Sequence, residues 1–324
     1  MTNRSVALAN DPIAEEAAAD YLLSGGSALG AVLCGFFAAA GGHAGVLLGP
    51  VSIVVAGAGV GARAFDGRLR QPGLGTRRPR GFQDGEAIPE AARVAIPAGV
   101  SAALVALAYD GTQKLGSIIK PGVQRAQRGN APERASLLRR VRAVGPSALQ
   151  EPSFVRALLR VAGPSEGGLL TPTDFGASFE VDQPAVERPL SDGLLVEAPW
   201  AGEDTPLPEG SDLGIGCSVI SVDVRGLFAA LSYRRVTDGF AFEDIELEAP
   251  LGAIPVMRGV TRVGPGAPLP APAPIGLRRD ADGNLVEVLA TPGAARLDGS
   301  GIENPTLGLR RDPTTRTVEV VRNP

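Results

Sequence analysis

A chain of 324 residues is long enough to bury one large core or two ordinary ones. With 44% apolar but only 4% aromatic residues, that core has to be made of Ala, Val, Leu and Ile packed closely around many glycines. The 31 basic and 35 acidic residues leave a formal charge of -4, which gives nucleic acid and anionic membrane no electrostatic hold, and two cysteines with one histidine exclude a disulfide framework and a zinc cluster. No metal and no cofactor is expected.

Asp11, Glu15, Glu16 and Asp20 interrupt the first twenty residues, so no signal peptide is expected and the cytoplasm is the expected location. Asp11 to Leu23 reads as a helix, with Asp11 as cap, Pro12 in the first turn and Ser24-Gly25-Gly26 as its end. Ser27 to Ala40 reads as a second, with Leu29, Val32, Leu33, Phe36 and Phe37 at helical spacing. Residues 21 to 62 carry no Lys, Arg, Asp or Glu and could span a membrane twice by length. Frequent glycines, Pro50 and the lack of aromatic or basic belts favour a buried helix followed by buried strands at Gly45 to Ala56 and Val60 to Phe65. Asp66 to Glu90 is polar and rich in Arg, Pro and Gly. It reads as a solvated loop at Arg77 to Arg80, with Arg68 open to a second role, since a guanidinium grips a carboxylate through two hydrogen bonds.

Helices are expected from Ile96 to Ala108, Leu115 to Gly129, Leu137 to Val144 and Phe154 to Ala162. Leu169 to Ser211 turns to Pro, Glu, Asp and Gly and reads as a wandering connection. The division expected from these changes places a helix-rich part at 1–205 and a strand-rich part at 206–324, together one compact unit. The second part opens on Gly214-Ile-Gly-Cys-Ser-Val-Ile-Ser-Val-Asp223, a turn at Val224-Arg225-Gly226, and Leu227 to Tyr233, which is a buried hairpin. Phe240 to Glu248 and Ala253 to Thr261 read as strands, and Gly264 to Pro274 as a bend. Gly276-Leu-Arg-Arg-Asp280 with Val286-Glu-Val288 returns 32 residues later as Gly308-Leu-Arg-Arg-Asp312 with Val318-Glu-Val320, two alike hairpins.

The order of motifs resembles the gamma-glutamyltranspeptidase family. Asn10-Asp-Pro-Ile-Ala and Leu23-Ser-Gly-Gly-Ser-Ala-Leu-Gly-Ala31 resemble that family's opening helix and its Gly-Gly-Asn-Ala-Val-Asp-Ala motif, with Gly30 where Asp is usual. Asp66-Gly-Arg-Leu-Arg-Gln-Pro72 resembles Asp-x-Arg-Glu-x-Ala-Pro, with Leu69 in place of Glu. Ile96-Pro-Ala-Gly-Val100, Ile119 to Gly129 and Gly168-Leu-Leu-Thr-Pro-Thr-Asp-Phe175 resemble three further segments. The resemblance implies an α+β fold, a four-layer αββα sandwich of the N-terminal nucleophile hydrolase type, in a shortened and divergent form. It implies that Arg68 binds a substrate carboxylate, that Gly293 and Ala294 stand where backbone donors face the oxyanion, and that Pro270-Ala271-Pro272 replaces a supporting Ser-Ser-Met.

In that family autocleavage exposes a Thr in Thr-Thr-His-x-Ser-Val-Val-Asp-x-x-Gly, whose hydroxyl is the nucleophile. Aligning Asp223 and Gly226 puts Gly216 at the nucleophile position, Cys217 next and Ser218 in place of His. The expectation is a degenerate protein, unprocessed and non-catalytic, acting as a binding or interaction module. The alternative is a hydrolase or transferase on γ-glutamyl or related amides in which cleavage makes Cys217 an N-terminal nucleophile. Strand alternation speaks against it, since a one-residue offset turns a side chain to the other face. Expected partners are a small carboxylate or γ-glutamyl ligand and a partner protein or second copy, with no nucleic acid and no membrane.

Overall fold

A computed structural model describes residues 4–202, 209–292, 297 and 306–323. Six strands form a first antiparallel sheet: β1 (Val6–Ala9), β2 (Val51–Gly57), β3 (Val60–Gly67), β4 (Asp182–Pro184), β7 (Ile215–Val222) and β8 (Leu227–Arg235), in the order β1-β7-β8-β2-β3-β4. The second comprises β5 (Val186–Leu190), β6 (Gly193–Glu197), β11 (Ile275–Arg279), β12 (Leu285–Ala290), β13 (Thr306–Arg311) and β14 (Val318–Asn323), in the order β14-β13-β12-β11-β6-β5. A small pair, β9 (Phe240–Phe242) and β10 (Leu247–Ala249), stands apart.

Strands β2, β7 and β8 barely alternate in polarity because both their faces are buried. Val51, Ile53 and Val55 of β2 join Cys217, Val219, Leu231 and Tyr233 in the core under the helices. Val54 and Ala56 join Ile220, Val222, Phe228 and Ala230 in a second core against Val196, Leu277 and Val288 of the other sheet. The helices are α1 (Pro12–Leu23), α2 (Ala28–Gly42), α3 (Gly99–Asp110), α4 (Leu115–Arg128), α5 (Pro132–Val144), α6 (Pro152–Ala162) and α7 (Pro172–Phe175). Asp11 caps α1 through Ile13 N–H, and Ser27 caps α2 through Gly30 N–H. Helices α1, α2 and α3 cover the first sheet. The α+β fold expected is present, with the helices over one face of the first sheet and the second sheet stacked on its other face.

Several expected elements differ. Residues 45 to 50 are a turn ahead of β2, closed by Gly49 N–H on Val46 O, with Pro50 delaying the strand. Ala253 to Thr261 forms no strand. Pro255 lacks an N–H, and the peptide groups of Ile254 are taken by the Gln71 carboxamide at 2.8 and 2.9 Å. The wandering connection hides the hairpin β5–β6, whose Val186 to Leu190 pairs with Gly193 to Glu197. Polar residues masked it: Arg188 and Glu197, diagonal neighbours across the strands, pair at 2.8 Å. Both sheets therefore draw strands from both sides of residue 205. Among the described residues no helix is long and apolar enough to cross a membrane.

Candidate functional site

Where β1 ends, the Asn10 side chain continues its ladder onto β7. Its Nδ2 donates to Gly216 O at 3.0 Å and its Oδ1 accepts from Ser218 N at 2.8 Å. Gly216 and Cys217 lie inside a continuous strand, paired with Arg234 and Tyr233 of β8. They face opposite ways. A Cβ on Gly216 would point at the second sheet, 2.1 Å from Pro292 O and 3.2 Å from Ala273 Cβ, so the strand head has neither a side chain nor room for one. Ala273 follows directly on Pro270-Ala271-Pro272, so that segment leads to the neighbourhood of Gly216. Gly293 and Ala294 lie outside the described residues.

Cys217 faces the helices, is 2% exposed, and belongs to the core beneath α1 and α2. Burial first, and then the charge of Asp11, push its thiol up to about 11. Its side chain meets Tyr233, whose hydroxyl donates to Asp11 Oδ2 at 2.9 Å. His43 Nε2 stands 3.3 Å and Arg235 Nη1 3.7 Å from the same oxygen. Burial opposes the charge on Asp11, but hydrogen bonds from His43, Tyr233 and Ile13 N–H outweigh it and hold the carboxyl below its usual value. This network ties the caps of α1 and α2 to β8, while burial above all keeps Cys217 protonated.

Arg68 follows β3 at the same end of the sheet. Gly67 pairs with Val51, Val51 with Tyr233 and Tyr233 with Cys217, so three strand spacings, about 14 Å, separate the two candidate positions. Arg68 is 6% exposed. Its Nε and Nη2 each donate to the Asp66 carboxylate at 3.0 Å, and its guanidinium lies 5.0 Å from the Trp200 ring. Arg70 Nη2 reaches the same carboxylate at 2.9 Å, and its guanidinium lies over Phe179 at 5.3 Å. Burial lowers the Arg70 pKa, opposed by Asp66 and reinforced by Arg68. Trp200, which also donates to Ser52 Oγ at 3.1 Å, and Phe179 were not legible as members of this cluster, because they come from a connection without regular pattern.

Two departures from the family pattern have structural counterparts. Leu69 is 1% exposed in an apolar cluster with Ala95, Leu213, Ala253 and Leu269, where a glutamate would be buried without a partner. Gly30 seats the Tyr21 ring, since a Cβ there would stand 2.5 Å from Tyr21 Cε1. Asp223, by contrast, is a hub of the hairpin. Its carboxylate accepts from Arg225 N, Leu227 N and Ala28 N, fastening the β7–β8 turn to the start of α2.

No protein-family model matches the sequence, and no curated protein sequence matches it. Solved structures do. Cephalosporin acylase from Bacillus halodurans superposes with a TM-score of 0.74 at 10% identity, over 99% of this chain and 96% of that one. A substituted form of the protein LmbA2991 gives 0.75 at 14% identity, with the same coverage of 99% and 96%. Helicobacter pylori gamma-glutamyltranspeptidase gives 0.51 at 19% identity, over 61% of this chain and 70% of that one. At these identities the likeness is one of fold, and the chain has the N-terminal nucleophile hydrolase fold that these acylase and transpeptidase structures share.

Proposed function

We propose that this chain is a gamma-glutamyltranspeptidase-like protein that has lost autoprocessing and amide cleavage and serves as a binding or interaction module. The reading is carried by Gly216, where the strand head lacks a nucleophile and the Pro292 carbonyl fills the space a side chain would need. The Arg68 fork is turned onto Asp66, so a carboxylate ligand reaches it only by sharing the guanidinium. A partner protein or a second copy of the chain is accordingly the preferred partner. Intact mass should give one chain of 33.1 kDa, without turnover of γ-glutamyl anilides or cephalosporin-type amides, and light scattering should give a mass above the monomer. Fragments meeting at Gly216 and Cys217, or anilide turnover, would overturn the loss of catalysis.

The alternative, a hydrolase or transferase with Cys217 as N-terminal nucleophile, draws on one observation. Asn10 Nδ2 donates to the carbonyl of Gly216, the bond that would have to break, as an oxyanion donor would. Prolonged incubation followed by mass spectrometry separates the two readings, since Asn10→Ala should abolish fragment formation only if that donor acts in cleavage.

A further inference from the structure

Two surface loops bring five arginines together. Residues 76 to 82 and 256 to 262 run side by side, joined by Phe82 N–H on Val256 O at 2.8 Å and Arg258 N–H on Phe82 O at 2.9 Å. Arg258 Nε donates to Gly81 O at 3.0 Å, and Arg262 Nη1 reaches Thr76 O at 3.5 Å. Both guanidinium groups are thereby laid against the loop that carries Arg77, Arg78 and Arg80. All five arginines are exposed. Glu86, on Arg80 Nη2 at 2.5 Å, is the one carboxylate paired with any of them among the described residues.

Composition does not account for this cluster in a chain of net charge -4, and like charges held side by side repel. Four guanidinium groups without a carboxylate, set on one surface, suit an anionic partner. Guanidinium takes carboxylates through paired hydrogen bonds, and Leu74 (40% exposed) and Val260 (65% exposed), on the same loops, add aliphatic contact. Nucleic-acid bases need aromatic faces on which to stack. Phe82, the aromatic ring of these two loops, is 1% exposed, and the Arg80 guanidinium lies over it at 4.9 Å. An anionic membrane repels the chain as a whole, which carries net negative charge. We propose that this surface docks an extended segment of a partner protein, rich in Asp and Glu with aliphatic residues between them. The proposal deepens the reading of the chain as an interaction module, on which it rests, by giving the chemistry of the partner.

Fluorescence anisotropy tests this with a fluorescein-labelled peptide of about ten alternating Glu and Leu residues, about 33 Å long when extended. The full chain should bind it saturably. Affinity should fall between about 50 and 200 mM salt, as the screening length shortens from about 14 to about 7 Å. Arg77→Glu with Arg78→Glu should weaken binding about tenfold, and Arg258→Gln from the other loop about twofold. These side chains are exposed, so the Tm of each variant should match that of the parent. Arg142→Glu with Arg156→Glu, at exposed positions of α5 and α6, makes the same change in net charge and should weaken binding by less than about twofold. The proposal is overturned if the peptide does not bind, or if the α5 and α6 pair weakens binding as much as the loop pair. It is equally overturned if single-stranded DNA or phosphatidylserine vesicles bind the chain more tightly than the peptide. The assay involves no turnover, so a failure to bind removes this surface, whereas anilide cleavage removes the loss of catalysis.

Discussion

Restoring a nucleophile at the head of β7 should destabilise the protein without making it an enzyme. In Gly216→Thr the new Cβ would lie 2.1 Å from Pro292 O, where ordinary contact begins at 3.4 Å, so strand and carbonyl must part by about 1.3 Å. Forcing atoms into a filled interior costs about 1–3 kcal/mol, and replacing a strand glycine returns about 0.5–1 kcal/mol. At the middle of those ranges the net loss is about 1 kcal/mol, which for a chain of 324 residues is a fall in Tm of about 2 °C by scanning calorimetry. Gly61→Ala is the control. That residue is an exposed strand glycine of β3 whose Cβ would meet only the Tyr109 hydroxyl at 3.9 Å, and it should be neutral or stabilising. A Gly216→Thr protein that is as stable as its parent, or that splits and turns over γ-glutamyl anilide, would refute the reasoning on both counts.

Three further outcomes are expected. Neither thiol should react with Ellman's reagent in the native protein at pH 8, because burial pushes Cys217 up to about 11 and Cys34 up to about 12, and both should react once the chain is unfolded. Asp11 has a folded pKa below its usual value, so its contribution is complete above the unfolded pKa near 4 and fades as pH falls through the lower folded value. Asp11→Asn should therefore lower the Tm at pH 7, with the gap to the parent closing in scans below about pH 4. The Glu246 carboxylate accepts Glu133 N at 2.9 Å and Arg134 N at 3.3 Å at the start of α5, which Ala131 cannot cap. Glu246→Ala should cost about 1 kcal/mol in urea unfolding.

What the sequence discloses depends on whether the signal is local. Helices α1, α2 and α4 announce themselves through caps and periodicity, and the β7–β8 hairpin through its apolar runs and Asp223. Strands β5 and β6 do not. Their outer residues are Arg188 and Glu197, which look like loop composition until strand pairing sets them side by side. The orientation of Cys217 away from the second sheet follows from alternation and can be worked out in advance. What lies over Gly216 cannot, because Pro292 is brought there by the packing of two sheets whose strands lie far apart in the chain. The same holds for Arg68: its motif identifies it, but Trp200 and the shared use of Asp66 arise only from the fold.

Glu287 carries a consequence for how the second sheet finds its alignment. It is 3% exposed and takes Arg278 from one neighbouring strand at 3.2 Å and Arg310 from the other at 3.1 Å. Hydrophobic alternation punishes a slip of one residue, which would turn the apolar side outward, but it tolerates a slip of two. The hairpins β11–β12 and β13–β14 are near copies, with Arg278 opposite Glu287 and Arg310 opposite Glu319, so they are prone to that second kind of error. A two-residue slip would carry the carboxylate away from both guanidiniums and strand it in the interior. The buried charge thus acts as a keyway, admitting one alignment of two otherwise interchangeable ribbons.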